Sequence, residues 1–252
     1  MNQPRLKPEN TGLLVSVRNA TEARLAHSTA LVSIIDLKEP QNGSLGCVSF
    51  ETAKSISQSL PEDAIKSIAL GEVVDGPVWP NSNSHSRHEL LLRFQYAKVG
   101  LAGLADDQNW LQHWSNTFDQ VPSTIQRVAV AYADHERANS PKIKTIIESA
   151  NLVRCKALLI DTFCKENGSL LDMIPMPELK SFVRHAKSRG LKTVIAGSLR
   201  EKDLPHLQPL AVDFIAVRGA ICSEDRCSLI DVRKITSIAH RIADLSFPTR
   251  TG

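Results

Sequence analysis

Short, β-rich apolar runs alternate with segments of helical periodicity along the whole chain. Eight runs read as strands: Leu13–Val17, Val32–Lys38, Ser67–Val74, Tyr96–Leu101, Arg127–Asp134, Ala157–Phe163, Lys192–Ser198 and Phe214–Gly219. Near-continuous apolar runs of this kind suit strands covered on both faces, the situation in a parallel sheet. Between them lie helical patterns. Asn19 is a capping residue ahead of good helix formers. Pro141–Arg154 carries Ile143, Ile146, Ile147 and Ala150 at spacings of three and four, with Ser140 as its expected cap. Pro177–Arg189 places Leu179, Phe182, Val183 and Ala186 on one stripe and stops at Gly190, and Asp231–Leu245 does the same with Ile235, Ile238, Ala239 and Ile242. Eight βα units in 252 residues predict a single (β/α)8 barrel domain, with residues 1–11 as a flexible N-terminal extension. A doubly wound open sheet is the rival, but no G-x-G-x-x-G follows the first strand. Pro77–His88 reads as one long polar loop after the third strand.

Composition narrows the function classes. At 42% apolar residues the chain is too apolar for a disordered polymer, and its charges are too many for a membrane bundle. A net charge of +3 spread over a surface this large is a weak field, so no nucleic acid partner is implied. Five cysteines scattered over a long chain do not make a disulfide scaffold. The polar start and the lack of a membrane-length apolar run lead to the expectation of a soluble cytoplasmic protein with reduced thiols, binding no membrane. A homo-oligomer is the expected assembly.

In a barrel of this kind, chemistry sits at the C-terminal ends of the strands and in the loops that follow. Alternation puts Asp36 and Lys38 on one face at the end of the second strand, and Lys98 in register with Tyr96 and Gly100 on the fourth. Asp161 ends the sixth strand, Lys165 follows four residues later, and Asp134 ends the fifth. A lysine near a strand end is ordinarily a solvated rim charge. Two inside apolar strands, each with an acidic neighbour, point instead to a paired, desolvated amine. Burial beside another cation lowers the amine pKa and yields a nucleophile able to form a Schiff base with a carbonyl.

A second constellation points to phosphate. The seventh and eighth strands end in Gly197-Ser198 and Arg218-Gly219, where barrels of this fold recurrently grip phosphate. The glycines allow close backbone approach, and Arg218 is expected to add a bidentate donor. Gly43, Ser44 and Gly46, in the loop after Lys38, offer a possible second anion site or an Ω-like turn. Neither the Cys222/Cys227 pair nor His85 and His88 has a convincing metal-ligand spacing, so no metal is expected, and no cofactor either. Trp79, Trp110 and Trp114 read as packing or subunit contacts.

The strings Leu13-Leu-Val-Ser16, Ile35-Asp-Leu-Lys-Glu-Pro-Gln-Asn-Gly-Ser-Leu-Gly46, Lys98-Val-Gly-Leu101, Tyr132-Ala-Asp134, Asp161-Thr162, Ala196-Gly-Ser198 and Val217-Arg-Gly-Ala220 resemble, in chain order, the (5-formylfuran-3-yl)methyl phosphate synthase family. The resemblance implies a TIM barrel that condenses two glyceraldehyde 3-phosphate molecules into the furan precursor of methanofuran-type C1 carriers, with loss of phosphate and water. It further implies Lys38 as the Schiff-base lysine and Lys98 as general acid/base, with Asp36, Asp161 and Lys165 completing the polar cluster. The chain departs from the archaeal pattern at Gln41, where lysine is common, and at Gly71-Glu72, where Gly-Asp is common. A Schiff-base aldolase, a sugar-phosphate isomerase and a non-catalytic sugar-phosphate-binding barrel are the competing functions.

Overall fold

Each of the eight apolar runs becomes a strand, and each strand is too apolar on both faces to lie on a surface. In the computed structural model, which describes residues 11–245, they close into a parallel barrel. The wall runs β1 (Gly12–Val17), β2 (Ile34–Leu37), β3 (Lys66–Glu72), β4 (Tyr96–Gly100), β5 (Gln126–Tyr132), β6 (Cys155–Asp161), β7 (Lys192–Ile195) and β8 (Phe214–Val217), with β8 pairing back onto β1. Around it lie α1 (Ala20–Ser28), α2 (Phe50–Ser59), α3 (Ser84–Leu91), α4 (Trp110–Asp119), α5 (Ile143–Ser149), α6 (Leu170–Met173), α7 (Met176–Ser188), α8 (Leu204–Leu207) and α9 (Val232–Leu245). Residues 1–10 of the expected N-terminal extension lie outside the described residues. Among the described residues no helix is long and apolar enough to cross a membrane.

Alternation along the strands divides the core in two. Outward residues such as Val15, Leu37, Val99 and Ile195 pack beneath the helices. Inward residues, among them Leu14, Ile34, Ala69, Val128, Val130, Leu159 and Ala216, fill the lumen. The register sets Ser16 beside Asp36, Ala69 beside Lys98 and Tyr132 beside Asp161, so these polar residues share the inward face. Leu45, from the loop after β2, drops into the lumen with Ala102 and Ala138 and plugs the β3–β5 side of the mouth. The opposite side stays open.

Local chemistry explains where elements begin, including two that differ from expectation. Asn19 and Ser49 cap α1 and α2 by accepting the amides of Glu22 and Thr52. Ser140 does not cap α5. The backbone is still extended at Lys142 (ψ 148°), so the helix starts at Ile143 with Lys142 as its N-cap. Pro77–His88 is not loop throughout: Asn83 accepts the amides of His85 and Ser86 and launches α3, which buries only Leu90 and Leu91 at its end. Trp79 and Trp114 are packing residues. The Trp79 indole donates to the Val48 carbonyl at 2.8 Å and meets Phe50 edge-on, and Trp114 is fully buried between Trp110 and Phe118.

Candidate active site

Five ionisable side chains expected at the mouth form one buried cluster. Asp36 is fully buried on β2; Lys98 on β4 holds its ammonium 2.7 Å from Asp36 Oδ1, and the Ser16 hydroxyl donates to Oδ2 at 2.9 Å. Lys38, just past β2, sits 4.0 Å from Asp161 Oδ2. Lys165 approaches Asp161 Oδ1 at 2.5 Å and also donates to the Thr162 carbonyl. The Thr162 amide donates to Asp161 at 2.8 Å. Two carboxylates thus serve three ammonium groups, and the one with the loosest partner is Lys38.

Burial and that imbalance together set the protonation states. Burial lowers the Lys38 amine to about 7, with Lys165 and Lys98 pushing the same way and Asp161 opposing. Burial drives the Asp161 carboxyl up, but Lys165 and Lys38 outweigh it and hold the group down at about 2. Lys165 is itself lowered by burial, against the pull of Asp161. A lysine in water is neutral in roughly one molecule in a few thousand at pH 7. A Lys38 amine lowered to about 7 is neutral in a far larger share of molecules at that pH.

The cluster opens into a cavity of about 290 Å3. Lys38, Asp161, Lys165 and Ser16 line its floor, Gly197 and Ser198 one wall, and Gly219 another. Gly197 has φ +99°, and a Cβ there would meet Thr162 Cγ2 at 2.9 Å, so only glycine fits between the β6 and β7 ends. Lys98 and Asp36 are not on the cavity wall. Lys98 faces a smaller apolar pocket lower in the barrel with Ile34, Tyr96 and Val128, and its connection upward runs through Asp36 to Ser16.

Arg218 requires a correction. Its Nη1 donates to Glu22 Oε2 at 2.5 Å and to the Ser16 carbonyl, its Nη2 to Glu22 Oε1 at 3.0 Å and to the Ser228 carbonyl, and its Nε to the Arg226 carbonyl. All five guanidinium N–H groups are taken, so none is left for a phosphate. Arg218 instead pins the loop after β8 onto β1 and α1. Replacing it with methionine leaves Glu22 buried and unpaired, and is expected to cost about 3–5 kcal/mol. Thermal melting should show a Tm lower by about 10 °C or more, with partial recovery when Glu22→Gln is added.

Besides Arg218, two arginines that the strand-end pattern does not mark line the cavity: Arg200, paired with Asp172 and Asp203, and the better buried Arg226. Its loop is folded back by Arg218 and by Arg18, which donates to the Cys227 carbonyl. Arg226 therefore lines the cavity half-buried, with Nη2 3.3 Å from the Gly43 carbonyl across the mouth. No periodic or strand-end signal marks a loop residue of this kind.

The remaining candidates have structural duties. Ser44 is buried and donates to the Thr162 carbonyl at 3.0 Å, Gly43 meets Arg226, and the Gly46 carbonyl accepts the Glu39 amide. None of the three lines the cavity wall. Asp134 accepts the Phe163 and Cys164 amides and so shapes the turn after β6. Gln41 is exposed on a 3-10 turn, away from the cavity wall.

Fold and site together define a (β/α)8 barrel with a desolvated lysine at the C-terminal ends of its strands. A sequence model of the 4-HFC-P synthase family matches residues 13–239, and the chain belongs to that family of enzymes. It is 32% identical over 213 residues to the (5-formylfuran-3-yl)methyl phosphate synthase of Methanobrevibacter smithii and 33% identical over 214 residues to that of Methanopyrus kandleri. Each alignment spans 83% of this chain and 89% of the relative. Among solved structures, phosphoribosyl anthranilate isomerase from Thermus thermophilus superposes with a TM-score of 0.63 at 12% identity, covering 93% of this chain and all of that one. The 3-hexulose-6-phosphate synthase of Salmonella typhimurium gives 0.56 at 14%, covering 91% and 99%. At such identities these two likenesses show the fold alone.

Proposed function

We propose that this chain condenses two molecules of glyceraldehyde 3-phosphate into (5-formylfuran-3-yl)methyl phosphate through a Schiff base on Lys38, as a cytoplasmic step toward a methanofuran-type C1 carrier. The observation that carries this reading is the buried Lys38 on the floor of a cavity with a cationic wall, 4.0 Å from Asp161, where burial lowers its amine to about 7. Two triose phosphates contain every atom of the furan phosphate plus one phosphate and two waters. Condensation and elimination therefore suffice, with no oxidant and no reductant.

Lys38 Nζ adds to the aldehyde carbon and water leaves, giving an iminium. The iminium acidifies the neighbouring C–H, whose proton passes to a base in the cluster. The resulting enamine forms the new C–C bond with the second aldehyde, and an enamine is equally the species that expels a phosphate from the next carbon. Ring closure by a hydroxyl, dehydration and hydrolysis of the iminium release the furan aldehyde and return the free amine. Asp161 and Lys165 flank Lys38 and handle protons at the reacting carbon. Lys98, the general acid/base of the family resemblance, exchanges protons with the cavity through Asp36 and Ser16.

Substrate phosphate is assigned to the backbone at Gly197, Ser198 and Gly219 with Arg226 as the cation. Losing one charge-assisted contact costs about 1.5–3 kcal/mol. Arg226→Ala should therefore raise KM for glyceraldehyde 3-phosphate by roughly ten- to hundredfold, with a smaller change in kcat. The function itself is tested with glyceraldehyde 3-phosphate alone. A conjugated furan aldehyde absorbing in the near ultraviolet, with stoichiometric inorganic phosphate, is the expected result. A simple aldol or ketose product without phosphate release would replace this reading with an aldolase or isomerase.

A further inference from the structure

A second set of polar side chains is buried beside the catalytic cluster, on the plugged side of the mouth. Tyr132 is fully buried in the lumen, and its hydroxyl donates to Glu72 Oε1. Glu72 Oε2 accepts the Ala102 amide at 2.8 Å. The carboxylate reaches this position by lying over Gly100 on the neighbouring strand, where a Cβ would stand 2.0 Å from Oε2. On its other side Tyr132 is the register partner of Asp161. Ser44 lies beside the phenol and donates to the Thr162 carbonyl at 3.0 Å, with Asp161 Oδ2 3.4 Å away. The buried Glu72–Tyr132 pair thus stands next to Asp161, the carboxylate facing Lys38, one strand over in the barrel wall.

A barrel plug needs none of this polarity. Apolar residues of similar size would fill the space without the desolvation of a phenol and a carboxylate. We propose that Glu72 and Tyr132 are positioning residues whose buried, hydrogen-bonded negative charge beside Asp161 sets the proton affinity of the Asp161–Lys38–Lys165 cluster. The proposal rests on the Schiff-base reading of Lys38. Burial raises the Glu72 carboxyl above the ordinary range, against hydrogen bonds from Tyr132 and Ala102, and the charges of Asp75 and Asp161 raise it further. The coupling is mutual: a negative Glu72 raises the proton affinity of Asp161 and of ammonium groups around it.

Glu72→Gln and Tyr132→Phe, each close to isosteric, test this with wild type as reference. In both, kcat should fall about tenfold, as for one lost buried hydrogen bond, with KM for glyceraldehyde 3-phosphate within about twofold of wild type and borohydride still trapping substrate on Lys38. Loss of the Glu72 charge favours the neutral amine, so Glu72→Gln should move the acidic limb of activity to lower pH. Wild-type kcat with an unmoved limb overturns the proposal. So does a fall in kcat that only follows a fall in Tm. Should wild type make no furan, the functional reading fails by itself, and the pH limb of Lys38 trapping then decides the coupling by the same shift or its absence.

Discussion

Arginine at position 38 should abolish turnover although it keeps the positive charge. A guanidinium has no free amine lone pair at any working pH and cannot form an iminium. The expected loss in kcat is roughly four orders of magnitude or more, the scale seen when a covalent nucleophile is removed. Borohydride reduction in the presence of glyceraldehyde 3-phosphate should leave the Lys38→Arg protein at its unmodified mass. Alanine at the same position should behave alike. Steady-state assays with intact-protein mass analysis check both points, and a Lys38→Arg enzyme that still turns over would remove the iminium from the reaction.

Asp161→Asn should separate imine formation from turnover, and the two should move in opposite directions. Asp161 opposes the burial that lowers the Lys38 amine, so removing its charge lowers that amine further. Trapping of substrate on Lys38 should then persist to lower pH than in wild type. Asp161 also holds Lys165 at 2.5 Å and is the proposed proton carrier at the reacting carbon. Its loss should lower kcat by about 10²–10⁴-fold. Measuring trapping and furan formation over the same pH series tests the pair of effects. A parallel loss of both would make Asp161 a folding element rather than a proton carrier.

How much of this was legible in the sequence depends on the range of the interactions. Strand order and closure followed from periodicity, because an apolar run covered on both faces has few homes. The Asp36/Lys38 pair was legible for the same reason: period-two alternation fixes which residues share the lumen. Arg218 was misread because its partner, Glu22, comes from a helix 196 residues away, and nothing local reveals that its donors are taken. Arg226 was invisible because two other arginines fold its loop over the mouth. α3 was read as loop because its two buried leucines come only in its last turn. Tyr132 and Glu72 carried a weak signal in hindsight, a tyrosine on the inward phase of an apolar strand and a carboxylate at a strand end next to Gly71. Their joining through Gly100 is a tertiary contact that no spacing encodes.

The nucleophile can be tested most directly by following borohydride capture of glyceraldehyde 3-phosphate across pH, with peptide mass analysis of the reduced protein. The expected result is a substrate-derived mass on the peptide carrying Lys38, with capture half-maximal near pH 7, where the free amine reaches half occupancy. A mass on Lys165 or Lys98 instead, or capture on Lys38 that rises only in the range of an ordinary lysine near pH 10, would contradict it.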